Sequence, residues 1–300
     1  QGWPNFGFEF PYQGMPMSGV DVVGDIHGHA DQLLRLLVKL GYERRSSSGS
    51  FAHPDGRTVV FVGDLINRGP ASSAVIDIVR GMSDAGSALA VLGNHEFNLL
   101  SATVVGDKKV QKKYREHLDW FRTLPFSLEV GGIRVVHAVW HPTSLKVIAG
   151  RTCIDEDFLR KAITKGTPQH EAVQTVLKGI KVPIPRNQVY LDRFGIARGK
   201  GRIRWWLDPQ GLTYADLLFP SYAGACAKSR PSLADLADSE PYPSGDPAVF
   251  IGHYCLPVSE PKIHGNVACV DGCVTCDGVL WAYRYSGERI LDPDNLDQSN

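Results

Sequence analysis

No run in this chain approaches the roughly 20 consecutive apolar residues that a bilayer-crossing helix needs, so no membrane partner is expected. Net charge is lacking too. The 32 Lys and Arg balance 32 Asp and Glu, so no overall field draws long polyanions, and long nucleic acid is not an expected partner. Residues 1–19 lack a basic stretch followed by an apolar one and are not read as a signal peptide. Met15 or Met17 offers a start, so 1–19 is read as a leader or added sequence before a single domain at 20–300. Cysteines number six. Cys269, Cys273 and Cys276 lack the paired spacing of four zinc ligands, so packed, reduced thiols in a cytoplasmic protein are expected. Internal repeats and long low-complexity tracts are absent.

What is present is a repeating strand, turn and helix. Short apolar runs at Val20–Val23, Thr58–Val62, Ala88–Leu92 and Arg134–His137 read as buried strands. Asp31–Leu40 and Ser72–Met82 carry helical periodicity, and a further helical region runs from about Asp155 to Lys178. Alternating strands and helices indicate an α/β protein with ligands at the carboxyl ends of the strands. Near the end, Ala248–Ile251, Val267–Val270, Val279–Tyr285 and Glu288–Leu291 are β-type runs separated by Gly turns, read as adjacent antiparallel strands. The intervening Ile180–Pro247, rich in Pro, Arg and Trp, reads as an irregular insertion or lid at about 180–247.

Three strands end alike. The first gives Gly24-Asp25-Ile26-His27-Gly28, the second Gly63-Asp64-Leu65-Ile66-Asn67-Arg68-Gly69, the third Gly93-Asn94-His95-Glu96. Each sets a hard oxygen donor, in two cases with an imidazole, just after an apolar strand. Oxygen and imidazole donors suit Mn²⁺, Fe or Zn²⁺, and glycine lets backbone turn sharply beside a phosphate. One such turn is as often structural as functional; three in succession point to a site. His137 and His253 follow strands in the same manner, though either alone reads equally as a core histidine. Trp205 and Trp206, beside Arg202 and Arg204, suit either base stacking or anchoring of the insertion. His29 and His141 are read as surface or supporting residues, and the Lys108-Lys109 and Lys112-Lys113 pairs as a solvated helix face.

Together these motifs, with Val136-His137-Ala138 and Ile251-Gly252-His253, resemble the calcineurin-like metallophosphoesterase superfamily across roughly Val20–Leu291. The likeness is to its phosphoprotein-phosphatase-like and bacterial diadenosine-tetraphosphatase-like branch. The resemblance implies a two-sheet β-sandwich flanked by helices, in four layers α/β/β/α. It implies two divalent metal ions, manganese first and iron or zinc as alternatives. Asp25 and His27 would hold one metal, Asp64 would bridge, and Asn94, His137 and His253 would complete the second. A metal-bound hydroxide would attack phosphorus directly. His95 would protonate the leaving group, Arg68 would grip phosphate oxygens, and Arg202 or Arg204 would supply a second arginine.

One position departs from that pattern. Relatives carry Asp where this chain has Asn67, and a neutral amide supports an imidazolium at His95 less well. Two enzymatic readings follow: a phosphoprotein Ser/Thr phosphatase, or a hydrolase of nucleotides and dinucleoside polyphosphates. The substrate is thus a phosphorylated small molecule, nucleotide or phosphoprotein. Asn67 keeps open a third reading, a metal-binding scaffold that recognises phosphorylated ligands without turnover.

Overall fold

The structure is a computed structural model that describes residues 18–300, apart from 46–48, 108–111, 149, 186, 187, 189, 192–194, 222, 223, 225, 226 and 238. Residues 1–17 of the expected leader, and the Lys108-Lys109 pair, lie outside the described residues.

β-Branched and aromatic runs form strands where both faces are covered. β1 (Val20–Val23), β4 (Thr58–Phe61) and β5 (Ala88–Ala90) run parallel. β16 (Trp281–Tyr285) pairs antiparallel with β1, and β17 (Leu296–Gln298) extends that edge, giving the order β17-β16-β1-β4-β5. A second five-stranded sheet contains β6 (Ser127–Val130), β7 (Ile133–Val136), β13 (Val249–Ile251), β14 (Ile263–His264) and β15 (Val267–Cys269). Its order is β14-β15-β13-β7-β6, with β7, β13 and β15 parallel. Smaller pairings join β2 (Glu43–Arg44) to β3 (Phe51–Ala52) and β9 (Tyr190–Leu191) to β10 (Ala197–Arg198). β8 (Lys181–Pro183), β11 (Lys200–Ile203) and β12 (Leu218–Phe219) form a three-stranded sheet.

Successive side chains of a strand face opposite ways, and each large sheet uses both faces. Val20, Val22, Val60 and Val62 meet Ile133, Val135, Phe250 and Val270 in an apolar layer between the sheets. Val23, Val59 and Phe61 face the other way and share a core with Leu33 and Leu37 of α1 (Ala30–Lys39) and Val75 and Val79 of α2 (Ser72–Asp84). Val136, Val249 and Ile251 belong to the same outer core as Leu145 of α5 (Pro142–Ile148) and Val173 of α7 (Pro168–Lys178). Two further helices, α3 (Asn94–Val104) and α4 (Leu118–Thr123), follow β5. The result is the four-layer α/β/β/α architecture.

Four expectations about individual elements change. β13 and β15 are parallel, Val249 opposite Val267, because the chain passes through β14 and re-enters in the same direction. Glu288–Leu291 forms no strand, and the edge is instead β17. The region Asp155–Lys178 is two helices, α6 (Glu156–Ile163) and α7. They break at Gly166 (φ 85°) and Pro168, whose ring suits only a first helical turn. The stretch at 180–247 includes the ordered sheet β8-β11-β12, whose buried Val182 and Ile203 hold it to the core.

Candidate metal centre

Five strands, three parallel ones of the first sheet and two parallel ones of the second, bring their carboxyl ends to one place. β1 delivers Asp25 and His27, β4 delivers Asp64, β5 delivers Asn94 and His95, β7 delivers His137 and β13 delivers His253. The turns are tight. A Cβ on Gly93 would lie 2.1 Å from the Asp64 nitrogen, and one on Gly252 would lie 2.0 Å from Asp25 Oδ1. His27, Asp64 and His253 hold left-handed backbone at φ 46°, 52° and 69°, a cost that commonly collects at functional sites.

The imidazoles show what the cluster is built to hold. His27 Nδ1 lies 3.2 Å from the Ile66 carbonyl oxygen and His137 Nδ1 lies 2.8 Å from that of Val62. The His253 ring bonds the backbone of Lys178. A carbonyl only accepts, so Nδ1 of His27 and His137 donates and Nε2 keeps its lone pair. Burial, the largest cause, pushes His27 down to about 2 and His137 down to about 4, and holds His253 well below its ordinary range. These rings are therefore neutral. Yet His137 Nε2 faces Asn94 Oδ1 at 3.1 Å and Asp64 Oδ1 at 3.5 Å. His27 Nε2 faces Asp64 Oδ2 at 3.6 Å and Asp25 Oδ2 at 3.9 Å. His253 Nε2 is buried without a hydrogen-bond partner. Lone pairs pointed at lone pairs fit a cation between them, and backbone carbonyls orient the rings for that task.

Ligand atoms of His27, Asp64 and His95 lie within 4.8 Å of one another, as do those of Asp64, His137 and His253. Asp64 belongs to both groups. Its carboxyl is pushed up to about 7, chiefly by burial. Asp25 is raised well above the carboxylate range by burial and then by the charges of Asp271 and Asp64. Crowded carboxylates of this kind ionise readily only when a cation offsets them. Oxygen and nitrogen donors without thiolate suit the first-row divalent ions.

Two buried acids escaped the sequence reading of roles. Glu96 is fully buried, and its carboxylate accepts from the backbone N–H of Asp64 (2.9 Å), Leu65 (2.9 Å), Ile66 (3.2 Å) and Gly93 (3.1 Å). It ties two turns together beneath Asp64. Asp271, after β15, accepts from the N–H of Cys255 (2.6 Å) and Cys273 (2.9 Å). Its signal was legible: an acid and a Gly after an apolar run, as in the earlier motifs.

Residues 19–213 match the family of calcineurin-like phosphoesterases, well over half of the chain. The chain belongs to that family. Among relatives, the asymmetrical bis(5'-nucleosyl)-tetraphosphatase PrpE of Halalkalibacterium halodurans is 48% identical over 94 residues, 31% of this chain and 37% of the relative. The protein of the same name from Anoxybacillus flavithermus is 28% identical over 266 residues, covering 88% and 89%. The chain thus spans little more than a third of the first of these relatives. A Saccharomyces cerevisiae serine/threonine phosphatase with similarity to human PP5 shares the fold, with a TM-score of 0.54, 16% identity and coverage of 95% and 80%.

In this calcineurin-like phosphoesterase His95 differs from the three ring-tethered histidines. Its Nδ1 lies 3.0 Å from Asn67 Nδ2, and Tyr114 donates to Asn67 Oδ1 at 3.4 Å. With the amide so turned, His95 Nδ1 accepts and Nε2 carries the proton, 3.9 Å from Asp64 Oδ2. Arg68 is exposed, and its charge reaches both His27 and Asp64. Arg202 is half-buried over the Tyr254 ring at 5.4 Å and depresses the His253 imidazole. Arg204 is engaged by Glu260 at 3.2 Å and the Leu218 carbonyl at 2.7 Å.

The remaining motifs are structural. His141 Nδ1 accepts from Ser144 N at 3.2 Å at the start of α5, and His29 bonds the Ile26 carbonyl oxygen at 2.9 Å. Trp205 and Trp206 are buried, Trp205 donating to the Ala138 carbonyl oxygen at 2.9 Å, which anchors the β8-β11-β12 region. Cys269 is a buried free thiol and Cys276 an exposed one, but at Cys273 the expectation of an unpaired thiol is corrected by a Cys255–Cys273 disulfide with Cα atoms 4.1 Å apart. Parallel β13 and β15 end side by side, and Asp271 draws the two following turns together.

Proposed function

We propose that this chain hydrolyses phosphate esters or anhydrides at a dinuclear metal centre. Asp25 and His27 would hold one cation, Asn94, His137 and His253 the other, and Asp64, common to both ligand groups, would serve each. Manganese is the favoured ion, with iron or zinc as alternatives. Two divalent cations bound there would supply the Lewis acidity that ionises water near neutrality and offsets phosphate charge. The observation that carries this reading is the set of neutral imidazoles whose Nε2 lone pairs face carboxylate and amide oxygens instead of donors.

The chain's own residues supply the rest. Arg68, presented on left-handed backbone (φ 64°), offers a planar fork of donors to non-bridging phosphate oxygens. His95, holding its proton on Nε2, donates it to the departing oxygen. Asn67 supports a neutral ring, a weaker acid than an imidazolium, so good leaving groups are turned over best. The substrate is a phosphorylated small molecule, nucleotide or phosphoprotein. Among the described residues no helix is long and apolar enough to cross a membrane.

Hydrolysis of p-nitrophenyl phosphate with added Mn²⁺ tests the reading, because that leaving group scarcely needs an acid. Activity abolished by EDTA and restored by Mn²⁺ is expected. Silence with two metals bound would favour a phospho-ligand scaffold, the reading that Asn67 supports.

A further inference from the structure

A chain of zero net charge concentrates cations beside this centre. Residues 178–204 contain eight Lys or Arg and a single Asp. The β8-β11 register sets Arg202 opposite Lys181, with Lys200 two positions along the same strand, opposite Pro183. Cross-strand partners share a face and alternate residues repeat it. Gly201, Val182 and Ile203 occupy the buried face, so Lys181, Lys200 and Arg202 line the other. Lys178, at the end of α7, carries the row to the metal centre. It donates to Asn98 Oδ1 at 3.3 Å, its charge feels that of Asp64, and its backbone bonds the His253 ring. Arg202 stands beside His253 at the same inner end, and Arg198 precedes Lys200 at the outer end.

We propose that Lys178, Lys181, Lys200 and Arg202 form a track for the non-reacting phosphates of a linear polyphosphate, with Arg198 at its far end. The substrate class is then a phosphoanhydride chain, as in a dinucleoside polyphosphate, and this inference rests on the hydrolytic reading above. Among the described residues no carboxylate lies within ion-pair distance of Lys178, Lys181 or Lys200. Burial lowers the Lys181 ammonium from its ordinary range, and the charges of Arg202, Lys178, Arg198 and Lys200 lower it further. Like charges held together this way gain most from a ligand with several adjacent anionic groups. A phosphomonoester engages the metals and Arg68 but extends no further charge along β8 and β11. The overall neutrality and short length of the row disfavour a nucleic-acid strand.

The test compares kcat/KM for diadenosine tetraphosphate and for p-nitrophenyl phosphate in the Mn²⁺-loaded full chain. Wild type is set against the Lys181→Ala/Lys200→Ala pair and the Lys181→Arg/Lys200→Arg pair. With one charge-assisted contact worth about tenfold, the ratio of the two constants falls at least about tenfold in the Ala pair, and the Arg pair restores it. With Mn²⁺ in excess, inorganic tripolyphosphate inhibits wild type well below the concentration at which orthophosphate does, and the Ala pair loses that preference. An unchanged ratio with unchanged preference overturns the track, as does an equal loss on both substrates. If diadenosine tetraphosphate resists cleavage while the tripolyphosphate preference is lost in the Ala pair, the track stands and its source is inorganic polyphosphate. If wild type fails even on p-nitrophenyl phosphate, the hydrolytic reading falls. Calorimetric titration of tripolyphosphate into the loaded wild type and Ala pair then decides the track alone.

Discussion

Replacing Glu96 by Gln changes one atom and removes one charge beneath the metal centre. Each carboxylate oxygen of Glu96 accepts two backbone N–H groups: Leu65 and Ile66 on Oε1, Asp64 and Gly93 on Oε2. A glutamine offers one oxygen and one NH₂. Whichever way it turns, two buried N–H donors face another donor. Charge-assisted hydrogen bonds contribute about 1.5–3 kcal/mol each, so losing two costs about 3 kcal/mol or more. Burial, and then the charge of Asp64, lifts the Glu96 carboxyl to about 8 in the metal-free protein. Cations that neutralise Asp64 relieve that repulsion, so the cost of Glu96→Gln is largest with metal bound. Thermal unfolding of the Mn²⁺-loaded variant at pH 8 should show Tm lowered by about 6 °C or more, on the usual scaling of about 2 °C per kcal/mol for large domains. Metal content should fall too, because the Asp64 turn loses its brace. A loaded variant melting within about 2 °C of wild type with two metals retained would refute this role, since about 3 kcal/mol exceeds that shift.

Metal affinity should depend on pH with a defined sign. Asp64 and Glu96, raised to about 7 and about 8, hold protons below those values in the metal-free protein, whereas His27 and His137 are already neutral. Binding must displace the protons of the ligands Asp64 and Asp25, the latter also held well above the carboxylate range by burial and neighbouring carboxylates. Calorimetry should therefore show affinity rising from about pH 6 to about pH 8 by about tenfold per pH unit per proton displaced. A flat profile across that range would contradict it. Asn67→Asp should keep metal content and raise turnover of alkyl phosphates by about tenfold or more while moving p-nitrophenyl phosphate little, because only poor leaving groups need the stronger acid. Equal effects on both would reject the link from Asn67 to His95. His95→Ala should leave metal content intact and lower turnover by about 10²-fold or more on poor leaving groups; loss of metal instead would make His95 a ligand.

The centre was largely legible because its chemistry sits where apolar runs stop. Asp25, Asp64 and Asn94 each follow a buried strand and a Gly, and that local pattern survives into three dimensions. His137 and His253 were separable from core histidines only by order along the chain, since nothing local distinguishes a ligand imidazole. Glu96 was read past because its partners lie about thirty residues upstream. Strand direction was misjudged at β13 and β15, where Gly-rich connections suggest hairpins but the chain makes a longer return. The Cys255–Cys273 pairing depends on that same parallel arrangement and was hidden with it. The cations of 178–202 were visible in the sequence, but Pro and Gly made the stretch read as irregular. Only the β8-β11 register shows that Lys181, Lys200 and Arg202 share a face.

Metal stoichiometry in wild type and in Asp64→Ala, measured by elemental analysis after Mn²⁺ loading and desalting, probes the centre most directly. Two ions per wild-type chain, with both metal and phosphatase activity lost on removing the carboxylate common to the two ligand groups, is the expected result. Full loading and undiminished turnover in Asp64→Ala would contradict it.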